Sequence, residues 1–529
     1  MTAFPRLVAD APAFRYYANS RLGRDKVRCR ERADAMNADD NTKPGSMRVA
    51  LVNSPAYSIG GASRRTVYFP IGLLSIGATL RKHGFAVRIF DINNIQIDAF
   101  EPHLDAVFAP RLAAFKPRVV GIGGLFSGAW PFQKLIAQCV RRVLPEAVIV
   151  LGGIHATMFG PEILDRYPFI DYVVIGEGEE TTRTLLERVE AGSGLADVDG
   201  LVFRTNGGVQ VNPKTKYSDL DLLPAPDYSL INVGEYHFKS EDWWSPRKLP
   251  VGQPFPILTS RSCPKRCSFC SMHLVHGPRI RFCDPMLIVD EIERLHDSFG
   301  ATYFEVMDDN LTFDRGHVLK LCAEILRRKL RIQFCTPNGV AVKGLDSEVV
   351  GAMVEAGLVR ICLAIESGSL MIRNRAIGKG LSDEDVWAAI EACVKYPELF
   401  VAGFFVLGMP QETRETLVET VELARALPLD KAYAFYATPY PGTVLYRWCT
   451  ERGLIEAGDL LESPGLKCDA DLPHFVPANV SLSDLMQARD AIVSHYRGKR
   501  EATRIPDNRP FRCVEGKVGM IDRSGDDWT

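Results

Sequence analysis

The chain has 529 residues, of which 46% are hydrophobic and 24% are charged. This balance is that of a globular protein, and it excludes a chain disordered throughout, a collagen and a simple coiled coil. Lys and Arg number 63 against 65 Asp and Glu, which gives a formal charge of -2 and no global basic excess for nucleic acid or an anionic membrane. At roughly 100–200 residues per domain, this length predicts two to four domains.

The termini and the cysteine content predict a cytoplasmic protein. No apolar run reaches the ~20 residues of a membrane span, and the first 17 residues lack the continuous apolar segment of a signal peptide. The 13 cysteines are an odd number over a long chain, which is unlike a secreted disulfide framework. Residues 1–46, rich in Arg, Asp and Asn, are predicted to form an N-terminal arm.

Residues 47–192 alternate short apolar strands with helical patterns. Strands are predicted at 48–53, 86–91, 118–123, 147–152 and 172–175, with helices at 73–83, 103–115, 132–143 and 180–191. This alternation predicts an α/β domain with a Rossmann-like parallel sheet, which binds ligands at the carboxyl ends of its strands. Three of those ends are rich in glycine, although glycines at such places also serve as simple turn residues. The candidate binding residues there are Ser127, Gly152, Gly153, His155, Gly176 and Glu177.

A connector at 193–255 contains a predicted hairpin at 200–211 and a linker rich in Pro and Trp. A second α/β run then occupies 256–446. Six strands are predicted at 257–261, 303–307, 332–337, 360–366, 402–407 and 432–438, with helices between them at 285–298, 315–328, 347–356, 382–395 and 412–426. Six βα units predict a full or partial parallel barrel, whose active site faces the strand carboxyl ends. Residues 447–529 are predicted to form an irregular C-terminal region with a mobile polar tail.

Three cysteines lie directly after the first barrel strand, in the spacing C-x3-C-x2-C: Cys263, Cys267 and Cys270. Three thiolates so close together can bind one soft metal centre, either zinc, copper(I) or an iron–sulfur cluster. Structural zinc takes four ligands, so a zinc site would need His273, His276 or Cys283 as the fourth. A four-iron cluster normally takes four cysteines, so three would leave one iron open.

The pattern C-x3-C-x-aromatic-C at the start of a βα barrel resembles the radical S-adenosylmethionine (SAM) superfamily. The resemblance implies that the three cysteines hold a 4Fe-4S cluster, that Phe269 is the motif aromatic, and that the open iron binds SAM for reductive cleavage. Three further segments match at the expected strand ends. They imply cofactor contacts at Asp308, Asp309 and Asn310, at Glu366, Ser367 and Gly368, and at Gly408. Each has a simpler interpretation as a helix cap, an ion pair such as Glu366 with Arg373, or a turn.

The first domain resembles the cobalamin-binding domain that precedes the barrel in one radical SAM subclass. The classical cobalamin domain carries D-x-H-x-x-G after its first strand, where the histidine ligates cobalt. Here that loop reads Asn53-Ser54-Pro55-Ala56-Tyr57-Ser58-Ile59-Gly60 and contains no histidine. The resemblance therefore implies cobalamin without a protein imidazole from this loop. His155 is predicted to be a loop residue near the corrin.

Together the two resemblances imply a cobalamin-dependent radical SAM methyltransferase. One SAM methylates cobalamin, a second SAM gives a 5′-deoxyadenosyl radical, and the methyl group goes to an unactivated carbon or a phosphinate phosphorus of a small natural-product or lipid substrate. An external one-electron reductant of the flavodoxin or ferredoxin type is implied as partner. The alternatives are a cobalamin-using radical SAM oxidative cyclase, a non-catalytic corrinoid sensor or carrier, and a zinc-stabilised binding module.

Overall fold

The computed structural model describes residues 45–55, 69–93, 100–236, 254–455, 461–462 and 471–497. Nearly all of the predicted arm, the loop residues from Ala56 to Gly60, the Trp-containing part of the linker and the polar tail lie outside these residues. The strands are β1 Arg48–Asn53, β2 Ala86–Asp91, β3 Val119–Gly123, β4 Val148–Leu151, β5 Tyr172–Val174, β6 Leu201–Thr205, β7 Gly208–Val211, β8 Phe255–Ile257, β9 Ser260–Arg261, β10 Arg281–Phe282, β11 Tyr303–Val306, β12 Gln333–Val340, β13 Leu358–Glu366, β14 Phe400–Leu407 and β15 Lys431–Tyr436.

The helices alternate with these strands through both halves of the chain. They are α1 Ile71–Lys82, α2 Phe100–His103, α3 Ala109–Phe115, α4 Trp130–Val143, α5 Ile154–Arg166, α6 Glu179–Ala191, α7 Met272–His276, α8 Pro285–Phe299, α9 Arg315–Arg327, α10 Ser347–Ala356, α11 Asp383–Val394, α12 Arg414–Ala426, α13 Val444–Glu451 and α14 Leu482–Tyr496. A π-helical segment, Leu104–Phe108, joins α2 to α3.

Side chains in the sequence explain where many of the second-half helices begin. Asp284 accepts a hydrogen bond from the Met286 N–H ahead of α8, and Asp346 accepts two ahead of α10. Ser382 and Ser481 form capping boxes ahead of α11 and α14. These contacts satisfy N–H groups that have no partner inside the first turn. The predicted helices of this half accordingly begin within two residues of the observed ones.

The first sheet has the order β2-β1-β3-β4-β5-β6-β7, and its first five strands are parallel. This confirms the Rossmann-like sheet. The strand order reverses between β1 and β3, and ligands of such sheets bind in the crevice at the carboxyl ends beside this point.

Two details of the first sheet differ from the sequence analysis. The hairpin assigned to the connector, β6 and β7, extends the sheet with antiparallel strands. The sequence patterns miss helix α5, because Gly160 and Pro161 interrupt its apolar pattern. The chain bends there, and Phe159 departs from helical backbone angles.

The second sheet is open, with the order β15-β14-β13-β12-β11-β8 and all neighbours parallel. It is the predicted partial barrel of six strands. The first predicted strand, 257–261, is divided into β8 and β9, and β9 pairs with β10 in a separate antiparallel ribbon.

Aromatic rings join the two sheets at their common boundary. Phe69, which precedes α1, stacks on Tyr236 with 4.4 Å between ring centroids and on Phe255 of β8 with 5.0 Å. All three rings are buried. Stacked and tilted rings of this kind contribute beyond the area that they bury, so the two halves share one apolar core here.

The C-terminal region is more regular than predicted. Helix α14 covers the outer strand β15, where the Arg489 guanidinium lies 5.1 Å from the Tyr436 ring centroid. The Tyr496 hydroxyl donates to the carbonyl of Leu427 at 2.7 Å and to that of Ala424. Among the described residues, no helix combines the length and apolar character needed to cross a bilayer.

Candidate active site

The three cysteines lie in one loop between β9 and α7, at the carboxyl end of the second sheet. Cys263, Cys267 and Cys270 are partly buried, and none of them forms a disulfide. Ser262 enters the loop with a left-handed backbone angle, φ 75°, which turns the chain out of β9. Burial raises the pKa of Cys270 to about 12, so a cationic centre is needed to favour its thiolate.

The donor set fits a cluster better than a single ion. In the part of the chain that the structure describes, no three His, Cys, Asp or Glu side chains converge on one metal position. A four-iron cluster does not need such convergence, because each thiolate binds a different iron. Of the predicted fourth zinc ligands, the His276 ring bonds Glu177 at 2.9 Å, and the Cys283 N–H continues the ribbon by bonding the Thr259 carbonyl.

The acidic segment after β11 supports the cysteine loop. Asp308 is buried, and it accepts hydrogen bonds from the Thr259 N–H and from the hydroxyls of Thr259 and Ser260 at 2.5–2.6 Å. These bonds pull the chain out of β8, which explains why the predicted strand is divided. Asp309 accepts the Ser262 N–H at 2.9 Å. Both carboxylates therefore hold the approach to the loop, and their contact with a cofactor stays a prediction.

Asn310, by contrast, reaches the cysteines themselves. Its amide nitrogen lies 3.4 Å from the Cys263 sulfur, and its oxygen accepts the Ala341 N–H at 3.3 Å. Neither aspartate caps α9, since Asp314 does so by accepting the His317 N–H. The contact of Asn310 with a bound cofactor stays a prediction, and its position beside a predicted ligand supports it.

Glu366 ends β13 with a left-handed backbone angle, φ 74°, and its carboxylate bonds Lys379 at 2.6 Å. The predicted alternative partner, Arg373, instead bonds Asp383 and the Ser367 carbonyl. The Lys379 ammonium also lies near the cysteine loop, and its charge lowers the pKa of Cys267 against the larger effect of burial. Glu366 and Lys379 thus form a charged pair at the edge of the cysteine site.

Ser367 and Gly368 pack against α12. The Ser367 hydroxyl bonds that of Thr420 on α12 at 2.9 Å. A Cβ on Gly368 would lie 2.1 Å from the Glu419 carbonyl oxygen, so only glycine allows β13 and α12 to approach. This packing holds the end of β13 next to Glu366, and the contact of Ser367 and Gly368 with a cofactor stays a prediction.

Phe269 packs on an apolar cluster that includes Ile377, Val406 and Met409. Gly408 follows β14 with φ 85°, and its N–H donates to Glu412 at 3.2 Å. The motif aromatic and the predicted adenine-packing segment therefore belong to one apolar cluster beside the cysteines. Contact of Phe269 and Gly408 with SAM stays a prediction.

The carboxyl edge of the first sheet has room for a flat ligand at Gly152. A Cβ placed there would meet nothing within 4 Å. Gly153 differs, because its φ is 104° and a Cβ would lie 2.2 Å from the Gly124 carbonyl oxygen. The neighbouring loop exposes Leu125 at 51% ahead of Ser127. An open, apolar and glycine-lined edge fits one face of a macrocycle.

His155 lies in the first turn of α5, so the prediction of a loop residue is wrong. Its ring is buried, 5.3 Å from Trp130 and 4.8 Å from Phe159 between centroids. Burial lowers the pKa of His155 to about 4, although the charge of Glu462 opposes this. The imidazole is therefore neutral at pH 7. Its proximity to a corrin stays a prediction.

Gly176 and Glu177 bring the first domain against the cysteine-bearing segment. A Cβ on Gly176 would lie 3.1 Å from the Val275 carbonyl oxygen of α7. The Glu177 carboxylate bonds His276 at 2.9 Å and Arg281, and it lies 3.6 Å from Arg261. Its predicted role as a cofactor contact is untested, and the contacts shown are with the barrel.

A second carboxylate, Glu179, bonds Arg261 at 2.8 Å. Glu177, Glu179, Arg261, His276 and Arg281 are called the interdomain ion cluster below. Burial would raise the pKa of Glu177, but hydrogen bonds from His276 and Arg281 and the charges of both arginines lower it to about 2. The cluster brackets the cysteine loop, because Arg261 and Arg281 are register partners in β9 and β10.

Sequence patterns do not single out Arg261, Arg281 or Lys379, and they offer His276 only as a possible zinc ligand. Arg261 stands two residues before the first cysteine, and Lys379 lies between two glycines with positive φ. Isolated charges carry no periodic signal, so only the register of β9 with β10 could have identified this group. Cysteine spacing, in contrast, is visible in sequence alone.

Family comparisons agree with this geometry. The B12 binding domain family matches residues 57–186, and the Radical SAM superfamily matches residues 257–424. The chain therefore belongs to the radical SAM enzymes that carry a B12-binding domain ahead of the radical SAM domain. The cofactors of this class are a 4Fe-4S cluster, SAM and cobalamin, as the motifs implied.

Among the relatives, cytidylyl-2-hydroxyethylphosphonate methyltransferase of Streptomyces wedmorensis is 29% identical over 458 residues, covering 78% of this chain and 84% of the relative. Anaerobic magnesium-protoporphyrin IX monomethyl ester cyclase of Rubrivivax gelatinosus is 28% identical over 460 residues, covering 85% and 77%. The radical SAM methyltransferase TsrM of Kitasatospora setae, solved with cobalamin and a 4Fe-4S cluster, shares the fold with a TM-score of 0.63 and 21% identity, covering 84% of this chain and 85% of its own.

Replacing any one of the three loop cysteines by Ala should abolish cluster binding, because each thiolate would hold a separate iron. Iron content after anaerobic reconstitution and 5′-deoxyadenosine formation from SAM measure the effect. Cys139→Ala, Cys322→Ala and Cys393→Ala are matched controls, since these thiols lie buried in helices away from the loop. Full SAM cleavage by Cys267→Ala would contradict the assignment.

Glu177→Gln should lower stability by about 3 kcal/mol, because it leaves the Arg281 guanidinium without its anion and leaves Arg261 paired with Glu179 alone. The pKa of Glu177 is lowered from 4.5 to about 2, so its contribution is complete above about pH 4.5 and is lost as pH falls towards 2. Thermal unfolding across pH 3–7 should therefore show a difference in stability between wild type and variant that becomes smaller as the pH falls.

The matched control for this change is Glu348→Gln, whose ion pair with Arg315 is on the surface. Such exposed pairs contribute about 0–1 kcal/mol. An equal loss of stability in both variants, or a gap that stays constant down to pH 3, would show that the interdomain ion cluster does not stabilise the fold as described.

Proposed function

We propose that this chain is a cobalamin-dependent radical SAM methyltransferase acting on a small natural-product or lipid substrate, at an unactivated carbon or a phosphinate phosphorus. The observation that carries the proposal is the contact of Gly176 and Glu177, at the carboxyl edge of the B12-binding domain, with Val275 and His276 of the helix that follows the cysteine loop. Methyltransferases among the relatives support the reaction class. Two cofactors held on facing edges leave a shared space for one substrate.

The chain's own residues have three tasks in this site. When bound, the iron–sulfur cluster supplies the electron that cleaves SAM, and cobalamin carries the methyl group. Cys263, Cys267 and Cys270 hold the cluster, with Asn310 at hydrogen-bond distance from the first sulfur. Asp308 and Asp309 fix the backbone that leads into this loop. The apolar packing of Phe269 keeps water from one side of the loop.

The barrel wall suggests a substrate with an apolar or flat portion. Phe404, Tyr433 and Phe435 are partly exposed on neighbouring strands, with the last two rings 6.1 Å apart and nearly parallel. Arg360 donates to the Tyr433 hydroxyl at 2.6 Å, which places a cation beside these rings. Aromatic rings with a cation beside them favour an amphipathic small molecule as the substrate rather than a polymer.

A cobalamin-using oxidative cyclase is the second candidate, because cyclases of chlorophyll synthesis match 85% of this chain at similar identity. The experiment that separates the two is anaerobic turnover with methyl-labelled SAM and a metabolite extract. Label in a product supports methyl transfer, and a dehydrogenated or ring-closed product without label supports the cyclase. A corrinoid sensor or carrier would yield neither product nor 5′-deoxyadenosine.

We also propose an external reductant of the flavodoxin or ferredoxin type and a cytoplasmic location. The cluster needs one electron from outside the chain for each SAM that is cleaved. Ten described cysteines are free thiols, and this supports the cytoplasmic location because thiols stay reduced in that compartment.

Gly152→Val should fold normally and weaken cobalamin binding at least about tenfold, because its side chain would extend into open space at the proposed corrin edge. Equilibrium binding of hydroxocobalamin, followed by absorbance, measures the loss. The variant should still form 5′-deoxyadenosine, since the cysteine loop is untouched. Gly153→Val is a control for fold damage and should lower the melting temperature, because a Cβ there collides with Gly124. Wild-type cobalamin affinity in Gly152→Val would contradict the placement.

Cobalamin should bind with no protein imidazole on cobalt, because no histidine occurs from Asn53 to Gly60. Electron paramagnetic resonance of the Co(II) form of the loaded protein reports nitrogen on the lower axial position. We expect spectra without protein nitrogen coupling, unchanged in His155→Ala. Coupling that disappears in His155→Ala would show that this buried ring ligates cobalt after all.

A further inference from the structure

The outer side of the cysteine loop carries exposed cations. Lys265 and Arg266 stand between the first two cysteines, and both side chains are exposed. Arg375, at the end of the segment Met371–Ala376, is exposed as well. None of the three cations forms an ion pair with any other described residue, in contrast to the arginines of the interdomain ion cluster.

Backbone contacts place these cations on one surface. The Ser268 N–H donates to the Ile377 carbonyl at 2.9 Å, and the Ser268 hydroxyl donates to the Ala376 carbonyl at 2.8 Å. A Cβ on Gly378 would lie 3.7 Å from the Arg266 carbonyl oxygen. A Cβ on Gly380 would lie 3.7 Å from the Lys265 ammonium. The cysteine loop and the segment from 371 to 380 therefore lie side by side.

The surface also has an apolar component. Met371 is 37% exposed and precedes Arg375 by four residues, and the neighbouring Leu370 is 49% exposed. Met and Arg are enriched at protein interfaces, and encounters between redox partners bury small areas. We call Lys265, Arg266, Leu370, Met371 and Arg375 the cationic patch.

The position of the patch gives it a specific use. Arg266 is bonded directly to Cys267, so a protein that contacts Arg266 comes within one residue of a cluster ligand. The helix that follows the loop, in contrast, contacts the first domain through Val275 and Gly176. The patch is therefore the side from which an electron can enter.

We propose that the cationic patch is the docking surface for an acidic one-electron carrier protein that reduces the cluster. The reduced carrier loses one electron and the cluster gains it, with no proton or group transferred. This inference rests on the proposed function, since a carrier is needed only if the cluster is reduced in turnover. Charge complementarity favours an acidic partner, because unpaired surface cations attract such a protein over a Debye length of about 10 Å.

The test compares two reductants on the reconstituted full-length enzyme. A variant with Lys265→Gln, Arg266→Gln and Arg375→Gln should raise the KM for reduced flavodoxin, an acidic carrier, about tenfold in 5′-deoxyadenosine formation. Its rate with dithionite, which is small and needs no docking surface, should equal that of wild type. The single variants Lys265→Gln and Arg375→Gln should each raise this KM by part of that amount. They test the proposal even if the triple variant does not fold.

Two controls make the result specific. Arg111→Gln and Lys320→Gln remove exposed cations from α3 and α9 and should leave the flavodoxin KM unchanged. The wild-type rate with flavodoxin should fall with ionic strength, and this dependence should flatten in the triple variant. An unchanged KM in the triple variant, or a salt-independent wild-type rate, overturns the proposal. No 5′-deoxyadenosine from wild type with dithionite would overturn the proposed function instead, and this inference with it.

Discussion

Glu177 lies between two arginines and a histidine of the barrel, and the rest of the site depends on this contact. The carboxylate belongs to the loop after β5, whereas Arg261, His276 and Arg281 frame the cysteine loop. Burying charged groups is favourable only when each finds its counterpart, so the contact fixes one relative placement of the two sheets. That placement brings the glycine-lined edge and the cysteines to the same space. The aromatic contacts of Phe69 add burial at the boundary but no comparable directional constraint.

A second layer of contacts holds the loop from the barrel side. Asp308 bonds the chain just before the loop, and Ser268 inside the loop bonds the carbonyls of Ala376 and Ile377. The cysteines are thus set by their neighbours before any metal binds. Such preorganisation suits a cluster with an open iron, because the protein must present three ligands without supplying a fourth.

The cationic side chains in and around the cysteine loop form two groups with different surroundings. Arg261 and Arg281 face the first domain and are paired, while Lys265 and Arg266 face outward and are not. Paired, buried cations contribute to structure, whereas exposed, unpaired ones contribute to association. Cations within a few positions of one another in the sequence thus have different roles, and their spacing does not show which role each one has.

The sequence by itself determined the two α/β domains and their order, and it singled out three cysteines as predicted cluster ligands, because apolar periodicity and thiol spacing are local patterns. It predicted β1 and β2 to the residue, and the barrel helices nearly so. It missed α5, where Pro161 interrupts the pattern, and it misplaced His155 in a loop. Only the tertiary structure decided that Ser367 and Gly368 pack on α12, that Glu366 pairs with Lys379, and that Glu177 joins the domains. These partners lie 13 to 104 residues apart in the chain, and a pairing over such distances is set by how the sheets pack.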